Sequence, residues 1–299
     1  MTAAGGVDLP DLEQVEAAIG SAIRTRTSHG VRLLGHGEIS IVLGWPAEQP
    51  QHALKRVPPF RTQAAAEQYI AVCEAFLAHL SGAGVPILHT TLHTTTRADG
   101  AVVVFHRQPV ADSVHLGTNV LRSTAPDADH PLLAAIVSHA QAVVEDRRIG
   151  FDVQAANWLW DGQTARQLDF TSPFVLNDTG DDLQFDTTGF LREYPAALRG
   201  YLKKELLALI LRYTRPEGAI GDMVGNLFKE DLEPWVDPAI EAARRAGVVI
   251  RREDAQKMYD DDRKLLPLTL RMKKGQRWWL QHTGRRYDSM LPERTTYER

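Results

Sequence analysis

The sequence has a single cysteine, Cys73, among 299 residues. One thiol excludes an intramolecular disulfide, and no C-x-x-C pair is present. Because Cys73 lies in a run with helical periodicity, we expect a buried, unreactive thiol rather than a nucleophile. The chain also lacks H-E-x-x-H, G-x-S-x-G and G-x-x-x-x-G-K-[ST] motifs. These absences disfavour zinc-hydrolase, serine-hydrolase and P-loop chemistry.

Long apolar runs are missing as well. No stretch reaches about 18 uninterrupted apolar residues, the length a membrane-spanning helix needs. Residues 1–10 lack the basic segment and apolar run of a signal peptide. The expected location is therefore the cytoplasm, with no membrane partner.

Charge is distributed unevenly along the chain. The net charge is −4, but residues 241–299 hold 15 Lys and Arg against 9 Asp and Glu. Basic residues beside Trp278 and Trp279 suggest a nucleic-acid surface. Asp260, Asp261 and Asp262 interrupt the basic tail, and the overall pI is about 6.3, so we favour a solvated helical face over nucleic-acid binding.

The amino-terminal part of the sequence is rich in strand signals. Apolar residues make up 43% and charged residues 24% of the chain, which is typical of a globular protein. Helical periodicity predicts helices over residues 11–25 and 62–80, the second with Thr62 as its N-cap. Predicted strands cover Gly30–Gly35, Ile39–Trp45, His52–Val57, Ile87–Thr94 and Ala101–Arg107.

Beyond Pro109 the pattern is mainly helical. Predicted helices cover residues 113–122, 131–147, 195–214, 217–229, 235–246 and 253–264. One short hairpin, Trp158–Trp160 with Arg166–Phe170, interrupts them. The fold class is therefore α+β, with an amino-terminal lobe over residues 1–108 and a helical carboxy-terminal lobe over residues 109–299. A site is expected in the cleft between the lobes.

The strongest chemical signal surrounds that hairpin. Asp152 and Asn157 form a D-x-x-x-x-N loop, and Asp169 follows the hairpin turn at Asp161-Gly162. Two carboxylates and one amide oxygen around a common point suit Mg²⁺, which prefers oxygen ligands. Taken singly, each residue is more typical of a turn or a cap; the combination favours a metal site.

This pattern resembles the protein-kinase-like superfamily, in particular phosphotransferases of the aminoglycoside phosphotransferase type, over roughly residues 30–215. The resemblance implies a two-lobed fold that binds Mg²⁺ with ATP or GTP. By similarity, Asp152 would orient or deprotonate an acceptor hydroxyl, while Asn157 and Asp169 would coordinate the metal.

The resemblance extends to nucleotide-binding positions in the amino-terminal lobe. Lys55, on a predicted strand, would contact the α- and β-phosphates. Gly35 and Gly37 would belong to the loop that covers the nucleotide, although an ordinary hairpin turn explains them equally well. Glu67 and Glu74 are both candidates for an ion pair with Lys55, and the spacing favours Glu74.

The segment His106-Arg107-Gln108-Pro109, which follows Val102–Phe105, resembles the hinge between lobes, where backbone groups near Arg107 and Gln108 would bind the purine edge. Two positions depart from the family pattern. Gly150 stands where many relatives have histidine, two residues before the catalytic aspartate, and Thr171 stands where Asp-Phe-Gly has glycine. Neither departure removes a metal ligand or the phosphate-binding lysine.

The leading functional hypothesis is transfer of a nucleotide γ-phosphate to a hydroxyl of a small molecule, such as an antibiotic or a natural product. The acidic segment Asp178–Asp186 is a candidate acceptor wall, although a solvated loop is favoured. The alternatives are a protein kinase, which the missing A-P-E segment disfavours, and a pseudokinase that binds nucleotide without transfer. The sequence leaves the acceptor, ATP or GTP preference and oligomeric state open.

Overall fold

The structure, a computed structural model, describes residues 10–27, 30–36 and 40–291, with His36 described by its backbone alone. The helices within these ranges are α1 (Leu12–Thr25), α2 (Gln63–Gly82), α3 (Gly117–Ser123), α4 (Pro131–Val143), α5 (Thr188–Leu191), α6 (Arg199–Tyr213), α7 (Pro216–Lys229), α8 (Val236–Arg245) and α9 (Arg252–His282). The strands are β1 (Arg32–His36), β2 (Ile41–Trp45), β3 (His52–Arg56), β4 (Thr91–Thr96), β5 (Val102–Pro109), β6 (Trp158–Trp160) and β7 (Ala165–Gln167). The predicted α+β class is confirmed.

The first five strands form one antiparallel sheet in the order β1-β2-β3-β5-β4. Successive side chains of a strand point to opposite faces. On β5, Val103 and Phe105 pack in the same core cluster as α1, whereas Val102 and Val104 pack in the cluster that contains α2. The sheet is therefore covered by a helix on each face.

Helix α2 begins where the sequence predicts. The Thr62 side chain accepts a hydrogen bond from Ala65 N at 3.2 Å, which confirms the N-cap. Tyr69, Val72 and Cys73 lie on its buried face. Burial raises the pKa of the Cys73 thiol to about 12, so the thiol stays protonated, in agreement with the prediction that it is unreactive.

Helices α4, α7 and α8 build the second part of the core, together with the fully buried Trp158 of β6. The β6–β7 hairpin has the predicted position and antiparallel pairing, with Trp158 opposite Gln167. Gln167 also joins the two parts of the molecule, because its N–H donates to Pro86 O and its carbonyl accepts from Leu88 N, each at 2.9 Å. The predicted strand Ile87–Thr94 is wrong in its first half: Ile87 bridges Gln167, and β4 begins at Thr91.

Helix α9 is much longer than predicted. It has 31 residues and contains Pro267, whereas the prediction ended at residue 264. Conversely, the helix predicted to end at residue 147 stops at Val143. In the part of the chain that the structure describes, no helix combines the length and apolarity needed to cross a membrane.

The residues after α9 pack on the amino-terminal part of the chain. Arg56 donates to the backbone oxygen of Asp288 at 2.8 Å, and the Asp288 carboxylate pairs with Arg97 at 2.7 Å. Arg286 lies 3.5 Å from Glu16, which itself pairs with Arg56 at 2.7 Å. The prediction assigns residues 109–299 to the carboxy-terminal lobe, but the segment after α9 packs on the amino-terminal part of the chain.

Candidate functional site

Lys55 lies at the centre of the candidate site. Its strand partner on β5 is His106, so both side chains point to the α2 face of the sheet. Lys55 Nζ donates to Leu168 O at 2.6 Å and lies 3.2 Å from Asp169 Oδ1. The residue is only 2% exposed, and burial lowers the pKa of Lys55, an effect that the Asp169 charge opposes without cancelling.

Asp169 is held by three donors. Thr171 gives its backbone N–H at 3.1 Å and its hydroxyl at 2.8 Å to Asp169 Oδ1, the oxygen that also faces Lys55. Burial alone would raise the pKa of Asp169, but Lys55 and the Thr171 hydrogen bonds outweigh it, so the net shift is downward. Thr171 thus orients an ionised carboxylate.

Tyr69 of α2 lies beside this pair. Its hydroxyl donates to Thr171 O at 2.9 Å and lies 2.8 Å from His106 Nε2. Because a hydroxyl has one proton, Nε2 of His106 must be the donor in the second contact. Burial is the main reason that the pKa of His106 falls to about 3, with a smaller effect from Lys55. His106 is therefore neutral at physiological pH.

The predicted ion pair between Lys55 and Glu74 is not formed. Glu74 is exposed, as is Glu67, which instead accepts a hydrogen bond from Gln63. The buried face of α2 presents Tyr69 toward the site. Since Asp169 takes the place beside Lys55, the assignment of Glu74 is corrected.

Helix α7 anchors the loop that carries Asp152. Asp152 Oδ1 accepts from Gln154 N at 3.1 Å, and Gln154 Nε2 donates to Asp222 Oδ2 at 3.0 Å. Asn226 donates to the same Asp222 oxygen at 2.9 Å. Asp222 is only 8% exposed. The sequence analysis missed it, and a carboxylate at a buried position of an amphipathic helix was the available signal.

Gln167 brings the loop and the end of the hairpin together. Its side-chain Nε2 lies 3.2 Å from Asp152 O and 3.4 Å from Asp169 O. The hairpin also bonds the loop directly, because Leu168 N donates to Asn157 O at 2.9 Å. The structure therefore places Asp152, Asn157 and Asp169 on adjoining segments, as the loop-and-hairpin spacing predicts.

Arg107 and Gln108 lie on opposite faces of β5. Gln108 Nε2 donates to Leu168 O at 2.8 Å, the same carbonyl that Lys55 uses, so its side chain reaches the candidate site. Arg107 Nε donates to His52 Nδ1 at 3.2 Å, away from it. The role predicted for these two residues concerns their backbone groups and stays a prediction.

The glycine loop is described in part. Gly35 lies within β1 opposite Val42, rather than in a turn. Gly37 lies outside the described residues, so its predicted role has no structural account. Ser40, which follows the loop, is buried, and its hydroxyl lies 3.4 Å from that of Thr171. Ser40 therefore lies beside the candidate site.

Gly150 is explained by close packing. A Cβ at this position would lie 3.0 Å from the Phe174 Cβ and 3.3 Å from the Ile210 carbonyl oxygen. The Gly150 N–H donates to Phe174 O at 2.7 Å, and the Phe151 N–H donates to Tyr213 O at 3.1 Å. The backbone of these neighbours braces the loop, and a histidine at residue 150 would require them to shift.

The carboxylates of the acidic segment Asp178–Asp186 contact other residues of the chain. Asp178 lies 3.5 Å from Arg148, and Asp182 pairs with Lys203. Asp181 accepts from Asn177 at 2.8 Å, and Asp186 accepts from Thr188 N at 2.8 Å. These contacts agree with the solvated loop that the sequence analysis favours over an acceptor wall.

The donor set suits Mg²⁺ but does not complete a site by itself. Within the described ranges, no group of three or more His, Cys, Asp or Glu side chains is placed to hold a metal. Asp169 is 31% exposed, and the Asn157 side chain makes no hydrogen bond to the described residues. Mg²⁺ is commonly bound through one or two carboxylates, waters and substrate phosphates, and such a set requires no third acidic residue.

The fold and site define an α+β protein in which a buried lysine, Lys55, pairs with the partly exposed Asp169 on the α2 face of a five-stranded antiparallel sheet. Residues 14–277 match a protein family described as a family of unknown function, DUF6206, and the chain belongs to that family. Every predicted site residue lies within the matched region. The comparison with curated proteins finds no match.

Proposed function

We propose that this protein is a Mg²⁺-dependent phosphotransferase that moves the γ-phosphate of ATP or GTP to a hydroxyl of a small molecule, within a two-lobed, kinase-like fold. The observation that carries the proposal is the contact of Lys55 Nζ with Asp169 Oδ1 at 3.2 Å. These residues are 114 positions apart, and the resemblance to kinase-like phosphotransferases implies that they contact the phosphates and the metal. Their convergence supports that assignment.

The chemistry follows from the positions of the side chains. The acceptor oxygen forms a bond to the γ-phosphorus, the bond to the β–γ bridging oxygen breaks, and the nucleoside diphosphate leaves. Asp152 accepts the proton of the acceptor hydroxyl. Lys55 uses two of its three Nζ protons on Leu168 and Asp169, which leaves one for a phosphate oxygen. When bound to Asn157 and Asp169, Mg²⁺ supplies neutralisation of phosphate charge.

A second candidate is a protein that binds nucleotide without transferring phosphate. One observation favours it: Lys55 is only 2% exposed, and its pair is with Asp169 instead of a helix glutamate. A phosphate group then contacts Lys55 only after the side chains around it rearrange. Of the pair, Asp169 is the more accessible, with 31% of its side chain exposed. Both candidates require nucleotide binding, and only the first requires phosphate transfer.

Thermal shift with ATP and GTP, each with and without Mg²⁺, tests the shared requirement. Ligand at 100 times its Kd stabilises the native state by about 2.7 kcal/mol, so the melting temperature should rise. Asp169→Asn should reduce the Mg²⁺-dependent part of that rise. Asp161→Asn, in the exposed turn of the same hairpin, is the matched control and should keep it. No rise with either nucleotide would remove both candidates.

Transfer of labelled γ-phosphate to a panel of hydroxylated small molecules separates the candidates. The wild type and Asp161→Asn should label at least one acceptor, and Asp152→Ala should label none. Nucleotide binding with no labelled acceptor would favour the second candidate. Equal labelling by Asp152→Ala would exclude the role given to Asp152.

A further inference from the structure

The carboxy-terminal half of α9 exposes a stripe of apolar and basic side chains. Successive residues of a helix are rotated by about 100°, so residues at spacings of three, four and seven share a face. One face presents Lys264, Leu268, Arg271, Trp278, Trp279 and His282, all of which are exposed. Leu265 borders it and is 54% exposed, while Leu268 is 52%, Trp278 57% and Trp279 45% exposed. The apolar side chains of this face are thus in solvent.

From Arg263 through the end of α9 and the four residues that follow it, all charged side chains are basic. Residues 263–286 contain eight Lys and Arg and no Asp or Glu. Lys273, on the inner side, pairs with Glu193 at 2.7 Å. By contrast, Lys264 and Arg271 are exposed. Charge complementarity therefore calls for an anionic partner.

The exposed rings are held by neighbouring basic groups. The Arg285 guanidinium lies 5.4 Å from the centre of the Trp279 ring, and the rings of Trp278 and His282 lie 4.1 Å apart. Tryptophan beside Lys and Arg is typical of protein surfaces at a membrane–water interface. These contacts place an apolar body and a cationic rim on one side of α9.

Three partners compete for such a face. A second copy of the chain would bring like charges together, which costs free energy. A nucleic acid would contact the basic residues and stack on the tryptophans, but it would leave Leu265 and Leu268 without apolar contacts. An anionic lipid surface uses all of them, because aliphatic and indole side chains enter the boundary region while Lys and Arg attract the headgroups.

We propose that the face of α9 from Lys264 to His282 docks the protein on membranes that contain anionic lipids. Docking of this kind needs one apolar face and no membrane-spanning run, so it agrees with the absence of a spanning helix among the described residues. It revises the expectation of no membrane partner, which considered only spanning segments and a helix that ended at residue 264.

Co-sedimentation of the full chain with lipid vesicles tests the proposal. We expect binding to vesicles of phosphatidylcholine with phosphatidylserine, little binding to phosphatidylcholine alone, and a loss of binding as salt rises. The double change Trp278→Ala with Trp279→Ala, and separately Arg271→Glu, should each weaken binding at least about tenfold. This factor corresponds to about 1.4 kcal/mol.

Two exposed positions supply matched controls. Tyr201→Ala removes a 62% exposed ring on α6, and Lys257→Glu reverses a charge in the amino-terminal half of α9, where acidic residues are present. Neither should change vesicle binding. Binding by the wild type that is absent, or that does not depend on phosphatidylserine, would overturn the proposal. Binding to oligothymidylate without vesicle binding would overturn it in favour of nucleic acid.

Discussion

Gln167 has no net charge and is fully buried, yet it links two segments that carry charged site residues. Its Nε2 faces Asp152 O at 3.2 Å and Asp169 O at 3.4 Å. Both neighbours are hydrogen-bond acceptors, so the position requires a donor. The sequence analysis did not single out this residue, since a polar side chain in a short strand is ordinarily solvated.

Gln167→Glu tests this requirement with almost no change in shape. An ionised carboxylate would face two carbonyl oxygens, and we expect a loss of about 2–4 kcal/mol in the free energy of unfolding at pH 8. The pKa of the new carboxyl should be raised in the fold, so the loss should shrink toward pH 4, where the protonated acid can donate. Urea denaturation against Gln163→Glu, an exposed position in the same hairpin, measures it. An equal effect of both changes would contradict this role.

His106 gives the protein a specific pH dependence. Its pKa is about 3 in the fold and about 6.5 in an unfolded chain. Between these values the unfolded state binds the extra proton, so stability is fully present above pH 6.5 and falls as the pH drops toward 3. His106→Gln should remove a slope of about 1.4 kcal/mol per pH unit between pH 6 and pH 4.

Denaturant titrations at pH 7.5, 6, 5 and 4 would show this difference. The other histidines are the same in both proteins, so their contributions cancel in the comparison. His89→Gln, an exposed position, should leave the slope as in the wild type. Parallel curves for wild type and His106→Gln would show that His106 is accessible to protons in the native state.

At the scale of the element, α2 shows what sequence periodicity can and cannot decide. Helical spacing places Tyr69, Val72 and Phe76 on one face of α2, and all three are buried. The same periodicity puts Glu67 and Glu74 on the opposite side, since a residue rotates by about 100° from the last. The choice of Glu74 rested on distance along the chain, and helical phase was the signal that would have excluded it.

The β6–β7 hairpin could be predicted from the sequence, whereas the length of α9 could not. The hairpin was predictable because its turn, with Gly162 at φ 96°, is encoded by adjacent residues. Helix α9 was not, because Pro267 favours a helix end, while its continuation contacts residues that are distant in sequence, as Lys273 does with Glu193 and Gln281 with Arg26. Local signals locate short elements; long-range packing sets the ends of long ones.

The segment after α9 offers a test in which one arginine has two acidic partners. Arg97 is 5% exposed and pairs with Asp288, which is 24% exposed, and with Asp99, which is 51% exposed. Asp288→Ala should cost about 1–3 kcal/mol of unfolding free energy, because it leaves a buried guanidinium short of a partner. Asp99→Ala should cost less than about 1 kcal/mol, as is usual for exposed pairs.

Chemical denaturation of the two variants, compared with wild type, gives both values. Both variants remove an acidic partner of Arg97 and differ in the burial of that partner. Asp288 also pairs with Arg286 at 3.0 Å, and Asp99 also accepts from Ala101 N at 3.2 Å. A larger cost for Asp99→Ala than for Asp288→Ala would show that the segment after α9 contributes little to the native state.

At the scale of the whole molecule, contacts between distant segments define the candidate site and stabilise its surroundings. Lys55 meets Asp169 through the sheet and the hairpin, and Arg56, on the opposite face of β3, meets Glu16 and the backbone of Asp288. The sequence could predict that Asp152, Asn157 and Asp169 lie on adjoining segments, because the spacing of the loop and the hairpin is local. It could not predict that the chain end returns to the neighbour of Lys55.

Removal of residues 285–299 should therefore destabilise the entire protein. Tyr287 is 4% exposed and Arg56 is 3% exposed, so the deletion uncovers apolar surface and removes partners from two buried arginines. We expect the melting temperature to fall by at least about 5 °C, given that 1 kcal/mol corresponds to about 2–4 °C in a domain of this order of size. Removal of residues 292–299 keeps every contact described and is the control. If calorimetry gave equal melting temperatures for both deletions, the returning segment would be a passive tail, and the ion pairs around Asp288 would carry no stability.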